Sequence, residues 1–320
     1  MNPSSLKSIV SLLVVAAVSS AHTETIDQTN SNPAAGTDWN QASIWGGSAP
    51  IPSNDYATVS TGATIGNGLG FTANGTPWTV QANLRDSQST STFGGGSLIL
   101  NAGTRLLMKG NAGNVSTANI VMNGGFIQAA PNAGGSTALA GTIDTGTLLS
   151  AIGTNPSPGS TFTLDIFSTI IGSGILQLVN AGENGTRVSH INLKGDYSDF
   201  TGTLFLTQAD NIPSSAGSSF SIASGSAPLA TLELVAFSTN FLYDLSTDVS
   251  FGTVIINGSP LAPGTYGFAE LNDLSFGSFT DNGGTITVGV IPEPSSVMLG
   301  ILGLGAVALA EARRRRLGAR

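Results

Sequence analysis

The sequence predicts an all-β fold, a right-handed parallel β-helix (solenoid) flanked by an N-terminal signal helix and a C-terminal transmembrane helix. Three observations carry that prediction. Between the termini, apolar residues sit in short runs bounded by Gly, Asn, Ser or Thr. Such punctuation marks short strands joined by turns, because Gly and Asn tolerate the positive φ of tight turns. The middle of the chain shows no apolar stripe at i, i+3, i+4, i+7, so no helix is expected there. The runs are irregularly spaced and aromatics make up only 7 % of residues. Coils stacked about 4.8 Å apart tolerate loops of any length outside them, so this pattern favours a solenoid over a β-sandwich with its larger core side chains.

Residues 1–21 read as a secretory signal peptide, and hence a substrate of the Sec export machinery. Lys7 supplies a positive start, residues 9–18 (IVSLLVVAAV) an apolar stretch, and Ser19, Ser20 and Ala21 a small-residue cleavage site that leaves His22 as the mature start. That apolar stretch is too short for a hydrocarbon core that needs about 20 residues. Residues 22–36 read as a flexible linker and 37–290 as the solenoid passenger. Strands are expected at 97–100, 105–108, 118–122, 126–128, 175–179, 188–194, 203–207, 231–235, 252–256 and 285–288. Alternation assigns Ile175, Gln177 and Val179, Ile191 and Leu193, and Leu204 and Leu206 to inward faces.

The last segment, 291–320, has three parts in fixed order. Pro292, Glu293 and Pro294 are extended and cannot join a helix. Residues 295–310 (SSVMLGILGLGAVALA) are apolar or small throughout, and Arg313, Arg314, Arg315 and Arg316 follow. The arginines hold the end on the cytoplasmic side as a stop-transfer cluster.

Charge narrows the partners. Outside 1–21 and 292–320 the chain keeps five bases, Arg85, Arg105, Lys109, Arg187 and Lys194, against 17 acids, a net of −12. A surface so poor in cations does not neutralise a phosphate backbone, which excludes nucleic acid, and it is expected to repel an anionic polymer. With no Cys, the fold relies on neither disulfides nor thiolate metal sites.

The order of motif, apolar helix and basic cluster over 291–316 closely resembles the PEP C-terminal (PEP-CTERM) sorting signal of Gram-negative bacteria that make exopolysaccharide. The resemblance implies recognition of Pro292, Glu293 and Pro294 and cutting nearby by exosortase, a membrane-embedded transpeptidase-like enzyme. The apolar segment would then be a transient anchor. The body resembles autotransporter-associated β-strand repeat proteins in three places. Residues 39–45 (WNQASIW) with Pro50, Asn54 and Asp55 are similar to the opening of such passengers, 194–204 (KGDYSDFTGTL) to the repeat element, and 256–266 (INGSPLAPGTY) with 283–288 to the closing coil. No run of ten-residue alternating strands follows as an outer-membrane barrel, so the C-terminal signal is expected to take over its role.

Groups suited to catalysis are few. His22 lies at the expected mature start. His190 sits in an alternating strand and is read as a solvated or hydrogen-bonded strand histidine. No nucleophile elbow, zinc-protease helix or P-loop occurs. Asp196 and Asp199 are the best carboxylate pair. They suit a shared calcium ion or the two sides of a glycosidic bond, but capping of a turn is the preferred reading. Lys194 and Arg187 lie near them, as a lyase would require. Trp39, Trp45 and Trp78 suit stacking on sugars, with capping of the solenoid's N-terminal end preferred. The sequence therefore predicts no catalytic residue, cofactor or metal ligand. It predicts a structural or adhesive protein of the cell envelope or extracellular matrix, with exopolysaccharide as a partner. The competing readings are a polysaccharide lyase or glycosidase and a sugar-binding module without catalysis.

Overall fold

Alternation sets which side of each strand turns inward. In the strand Thr161–Ile166, Phe162, Leu164 and Ile166 are buried while the threonines and Asp165 between them reach the surface. The strand Ser97–Asn101 buries Leu98 and Leu100 in the same way. The computed structural model describes residues 24–289 apart from 34–36, 61–63, 65, 74–75, 88–89, 110–112, 132–133, 156–159, 181–187, 209–217, 224, 236–240 and 276–278; of 66–77 and 241 it describes the backbone alone.

These half-apolar strands stack into a β-solenoid built on two long, almost wholly parallel sheets, of 12 and 11 strands among the described residues. Each coil gives one strand to the first sheet and the next to the second, so equivalent positions lie directly above one another. In the second sheet the in-register column Leu84, Leu106, Ile127, Ile152, Leu178, Leu206, Leu234 and Ile256 runs the length of the core. In the first sheet Ile26, Tyr56, Leu98, Ile120, Ile143 and Ile170 form its counterpart. Each such side chain, fully buried, stabilises by about 1.5–3 kcal/mol.

Chain turns from the first sheet to the second are mostly tight: 102–103, 124–125, 172–174 and 246–248. Asparagines stack there, with Asn101 Nδ2 donating to the Thr58 carbonyl (2.8 Å) and Asn123 Nδ2 to Asn101 Oδ1 (2.7 Å). Gly125 is required by close approach: a Cβ there would lie 2.5 Å from the Leu100 carbonyl oxygen of the coil before.

Both ends of the stack are closed. At the N-terminal end Trp45, Tyr56 and Phe93 pack edge to face and Trp39 packs tilted on Phe93, with ring centroids 5.1–6.1 Å apart. At the C-terminal end Asn257 (φ 51°) and Gly258 make a hairpin turn, and Gly264–Tyr266 runs antiparallel to the last strand, Ile286–Val288. The α-helix Phe268–Ser275 packs against Phe279–Asp281, where Asn272 Oδ1 accepts from the Phe279 amide at 2.7 Å.

Four expectations are corrected. The expected linker 22–36 enters the fold, since Thr25–Asp27 pairs in parallel with Asp55–Ala57. Not every strand is parallel: Gly66–Ala73 and Thr76–Val80 form an antiparallel hairpin. Among the described residues the body does contain an α-helix, Phe268–Ser275, which buries only Leu271 and Ser275 and so leaves no apolar stripe to read. The strand Ile175–Asn180 has the opposite phase to the one predicted. Leu176 and Leu178 face the core, Ile175 is exposed, and Gln177 and Val179 face outward yet are buried. The reason is the hairpin: its Trp78 packs on Phe126, Ala151 and Val179, covering part of the second sheet's outer face. The expected signal segment 1–21 and C-terminal helix lie outside the described residues, among which no helix is long and apolar enough to cross a membrane.

Close stacking makes the tight turns intolerant of added atoms. Gly125→Ala is expected to destabilise by about 1–3 kcal/mol through overpacking against Leu100. Gly267→Ala, whose Cβ would meet nothing within 4 Å, should stay within about 0.5 kcal/mol of the parent in the same thermal melt.

Candidate functional site

The residues proposed for catalysis do not converge. His190 lies on the outer face of the first sheet, opposite Ser219, and its Nδ1 is 2.8 Å from the Ser219 hydroxyl. Partial burial lowers its pKa below the usual 6.5, so the ring is neutral at neutral pH. The nearby Asp165 carboxylate serves other groups: Asn192 Nδ2 donates to its Oδ1 at 2.8 Å, and Lys194 Nζ lies 3.0 Å from the same atom. Lys194 also sits 5.4 Å above the Phe167 ring. Arg187 and His22 lie outside the described residues.

Asp196 and Asp199 are both exposed, and Asp196 caps a turn. The Asp196 carboxylate accepts from the Ser198 amide at 2.9 Å, and this bond holds its pKa below the usual carboxylate value. Between the two acids, Tyr197 turns into the core and stacks on Phe251 at 5.9 Å, and Phe200 follows it inward. Gly202 is pressed against the Gly174 carbonyl of the previous coil, leaving no room for a Cβ. The segment 194–204 is thus a wide corner plugged by two aromatics. Among the described residues no three His, Cys, Asp or Glu side chains gather as a metal site.

The tryptophans divide. Trp39 and Trp45 are fully interior, with Trp45 Nε1 donating to the Trp39 carbonyl at 2.6 Å, so neither presents a face to a sugar. Trp78 is not part of the end cap; it lies on the hairpin over the second sheet, 6.0 Å from Phe126.

Sequence reading missed a cluster beside that hairpin. Arg85, Arg105 and Lys109, three of the five bases of the body, come together on the outer face of the second sheet. Register does this: Asn83 pairs with Arg105 and Arg85 with Leu107, so alternation turns both arginines outward on adjacent coils. Arg105 Nε donates to Asn83 Oδ1 at 2.8 Å and its Nη1 to Gln128 Oε1 at 2.6 Å. Burial, and then the Arg85 charge, bring the Arg105 guanidinium down to about 10. Burial and both arginines also lower Lys109. No carboxylate is among the described partners of the three. The 20-residue step from Arg85 to Arg105 was visible in the sequence, but the coil register that aligns them was not.

The solenoid closes where the sorting signal begins. The last strand ends at Val288, and the Gly289 amide donates to the Phe251 carbonyl at 2.8 Å. The motif-bearing tail follows at once. Residues 290–316 match the PEP-CTERM protein-sorting motif. The PEP-CTERM match covers the tail and none of the solenoid; it includes Pro292, Glu293 and Pro294 and the arginines Arg313 to Arg316, all outside the described residues. It marks an exported protein with exosortase as its processing partner and a membrane-anchored sorting intermediate. No curated protein and no solved structure matches the chain.

The depressed pKa of His190 has a measurable consequence. The unfolded chain takes up this proton more readily than the folded one, so stability is lost as pH falls through the unfolded value near 6.5. In denaturation curves between about pH 7 and pH 5, His190→Gln should lose less stability than the parent.

Proposed function

We propose that the chain is a structural or adhesive protein of the cell envelope or extracellular matrix, without catalytic activity, and that exosortase removes its C-terminal tail. The carrying observation is the PEP-CTERM motif at 290–316, placed directly after the closed end of the solenoid. In this reading residues 1–21 direct Sec export, and residues 295–310 pause in the inner membrane while Arg313, Arg314, Arg315 and Arg316 resist crossing. The pause holds Pro292–Glu293–Pro294 at the outer surface, extended by its prolines, in the shape a protease cleft binds.

The non-catalytic reading draws support from the positions of the reactive side chains. His190 contacts a serine hydroxyl, Asp165 is held by Asn192 and Lys194, and Asp196 is committed to its own turn. A general acid–base pair would need to be within hydrogen-bond reach of one substrate proton, directly or through one water. Exopolysaccharide is the proposed matrix partner, and the stacked coils give a rigid rod suited to a scaffold.

Mass spectrometry of the chain recovered from the envelope should find it ending close to Pro294. Replacing Pro292 and Pro294 by Ala should leave uncut protein in the inner membrane; intact chains ending at Arg320 on the surface of the parent strain would overturn processing. In parallel, neutral and acidic polysaccharides incubated with the purified protein should yield no new reducing ends or unsaturated products. Turnover that vanishes in Asp196→Ala or His190→Ala would make the protein a carbohydrate-active enzyme instead.

A further inference from the structure

The outer face of the second sheet carries an imbalance of hydrogen-bonding groups. Arg105 uses the two neutral acceptors beside it, Asn83 Oδ1 and Gln128 Oε1. Beside Arg105 the buried side-chain atoms left over on this face are donors, while the acceptor Gln177 Oε1 lies two coils further along the sheet from Phe126. Gln128 is fully buried and its Nε2 has no partner, Arg85 Nε is buried without one, and so is the Trp78 indole Nε1 at the edge of the same face. The Lys109 ammonium adds a third cation to the two guanidiniums. A buried donor without an acceptor is costly, and three cations drawn together without a carboxylate repel one another.

Neither feature is expected by chance in this protein. The body carries 17 acids and five bases, and the sequence from Tyr56 to Arg85, including the whole hairpin, contains no acid at all. The nearest carboxylate in the chain, Asp86, points the other way. Its Oδ2 accepts from Ser91 and Ser116 on the core side, at 2.6 and 2.5 Å. Among the described residues, the cations are therefore gathered where their described partners by hydrogen bond or ion pair include no carboxylate.

We propose that Arg85, Arg105, Lys109 and the Gln128 amide form a binding site for a single oxyanion group, a carboxylate or a phosphate, at the margin of the hairpin-covered face. The group supplies the acceptors that the donor set lacks. A guanidinium presents parallel N–H bonds to such an anion, and the ammonium acts as a point charge. The surrounding net charge of −12 selects against a densely charged polyanion, so the ligand is an isolated acidic group, either on an otherwise neutral glycan or as a free ion. Trp78 and Phe126 place an apolar wall next to the site, which suits the carbon skeleton of an acidic sugar. The site stands independently of the sorting reading, since it lies wholly within the solenoid and its hairpin.

The test uses the purified full-length chain in mild detergent, with chloride held constant. Sodium galacturonate, sodium phosphate and neutral galactose are titrated separately, followed by calorimetry and by thermal melts. Saturable binding of galacturonate or phosphate, with none of galactose, is the expected result; galacturonate alone identifies an acidic sugar and phosphate alone a free ion. Arg85→Gln with Arg105→Gln should abolish binding. Lys109→Gln, at the more open rim, should keep the fold by circular dichroism and weaken binding about tenfold, the worth of one charge-assisted hydrogen bond. Lys194→Gln, on the first sheet, should bind as the parent does. No saturable binding of either anion, or binding unchanged in Lys109→Gln, would overturn the site.

Discussion

The parallel ladder constrains everything else in this molecule. Each strand gives its backbone N–H and C=O groups to the coil before and the coil after, so a residue's neighbours are the equivalent residues one coil away. Like therefore stacks on like. The eight-member aliphatic column from Leu84 to Ile256 is one result, and the corner ladder from Thr58 through Asn101 to Asn123 is another. The glycines pressed against a neighbouring coil follow from the same spacing. A Cβ at Gly125 or Gly202 would collide with a carbonyl of the adjacent coil, whose position the ladder fixes.

A stack of coils leaves two raw ends, and this chain treats them differently. The first coil is filled from within, by Trp39, Trp45, Tyr56 and Phe93, because no earlier coil supplies side chains to that layer. The last coil is closed at its edge, by the antiparallel strand Gly264–Tyr266 and the helix Phe268–Ser275. Near that end the first sheet also turns aromatic, with Phe220, Tyr243 and Phe279 in register and ring centroids 6.2 and 5.3 Å apart. An uncovered parallel edge would template pairing with another chain, a hazard for an exported protein. The PEP-CTERM tail leaves from this closed end, so the sorting signal and the solenoid do not share a strand.

The two outer faces carry different chemistry. That of the first sheet is a mixed polar surface, where Asp165, Asn192 and Lys194 satisfy one another and His190 pairs with Ser219. That of the second sheet is partly roofed by the hairpin, and its polar groups are left with donors in excess. The roof accounts for the hydrophobic positions there, Phe126, Ala151 and Val179, which would otherwise be exposed on the wrong side of their strands.

The sequence alone determined the strand grammar, the solenoid class and the sorting tail, because each is written in local patterns. Alternation and Gly or Asn punctuation act within a few residues, and the PEP-CTERM signal is a linear motif. Even so, the phase of Ile175–Asn180 was misread, since a strand buried on both faces no longer alternates cleanly. Only the tertiary structure decided that Thr25–Asp27 joins the first sheet, that a hairpin covers the second, and that Arg85, Arg105, Lys109 and Gln128 meet. Each of these depends on coil register, which joins residues about twenty to thirty apart through loops of unequal length. Alternation turns Arg85 and Arg105 outward, but which coil each lies beside is set through those loops, so no local pattern can reveal the site before the ladder is known.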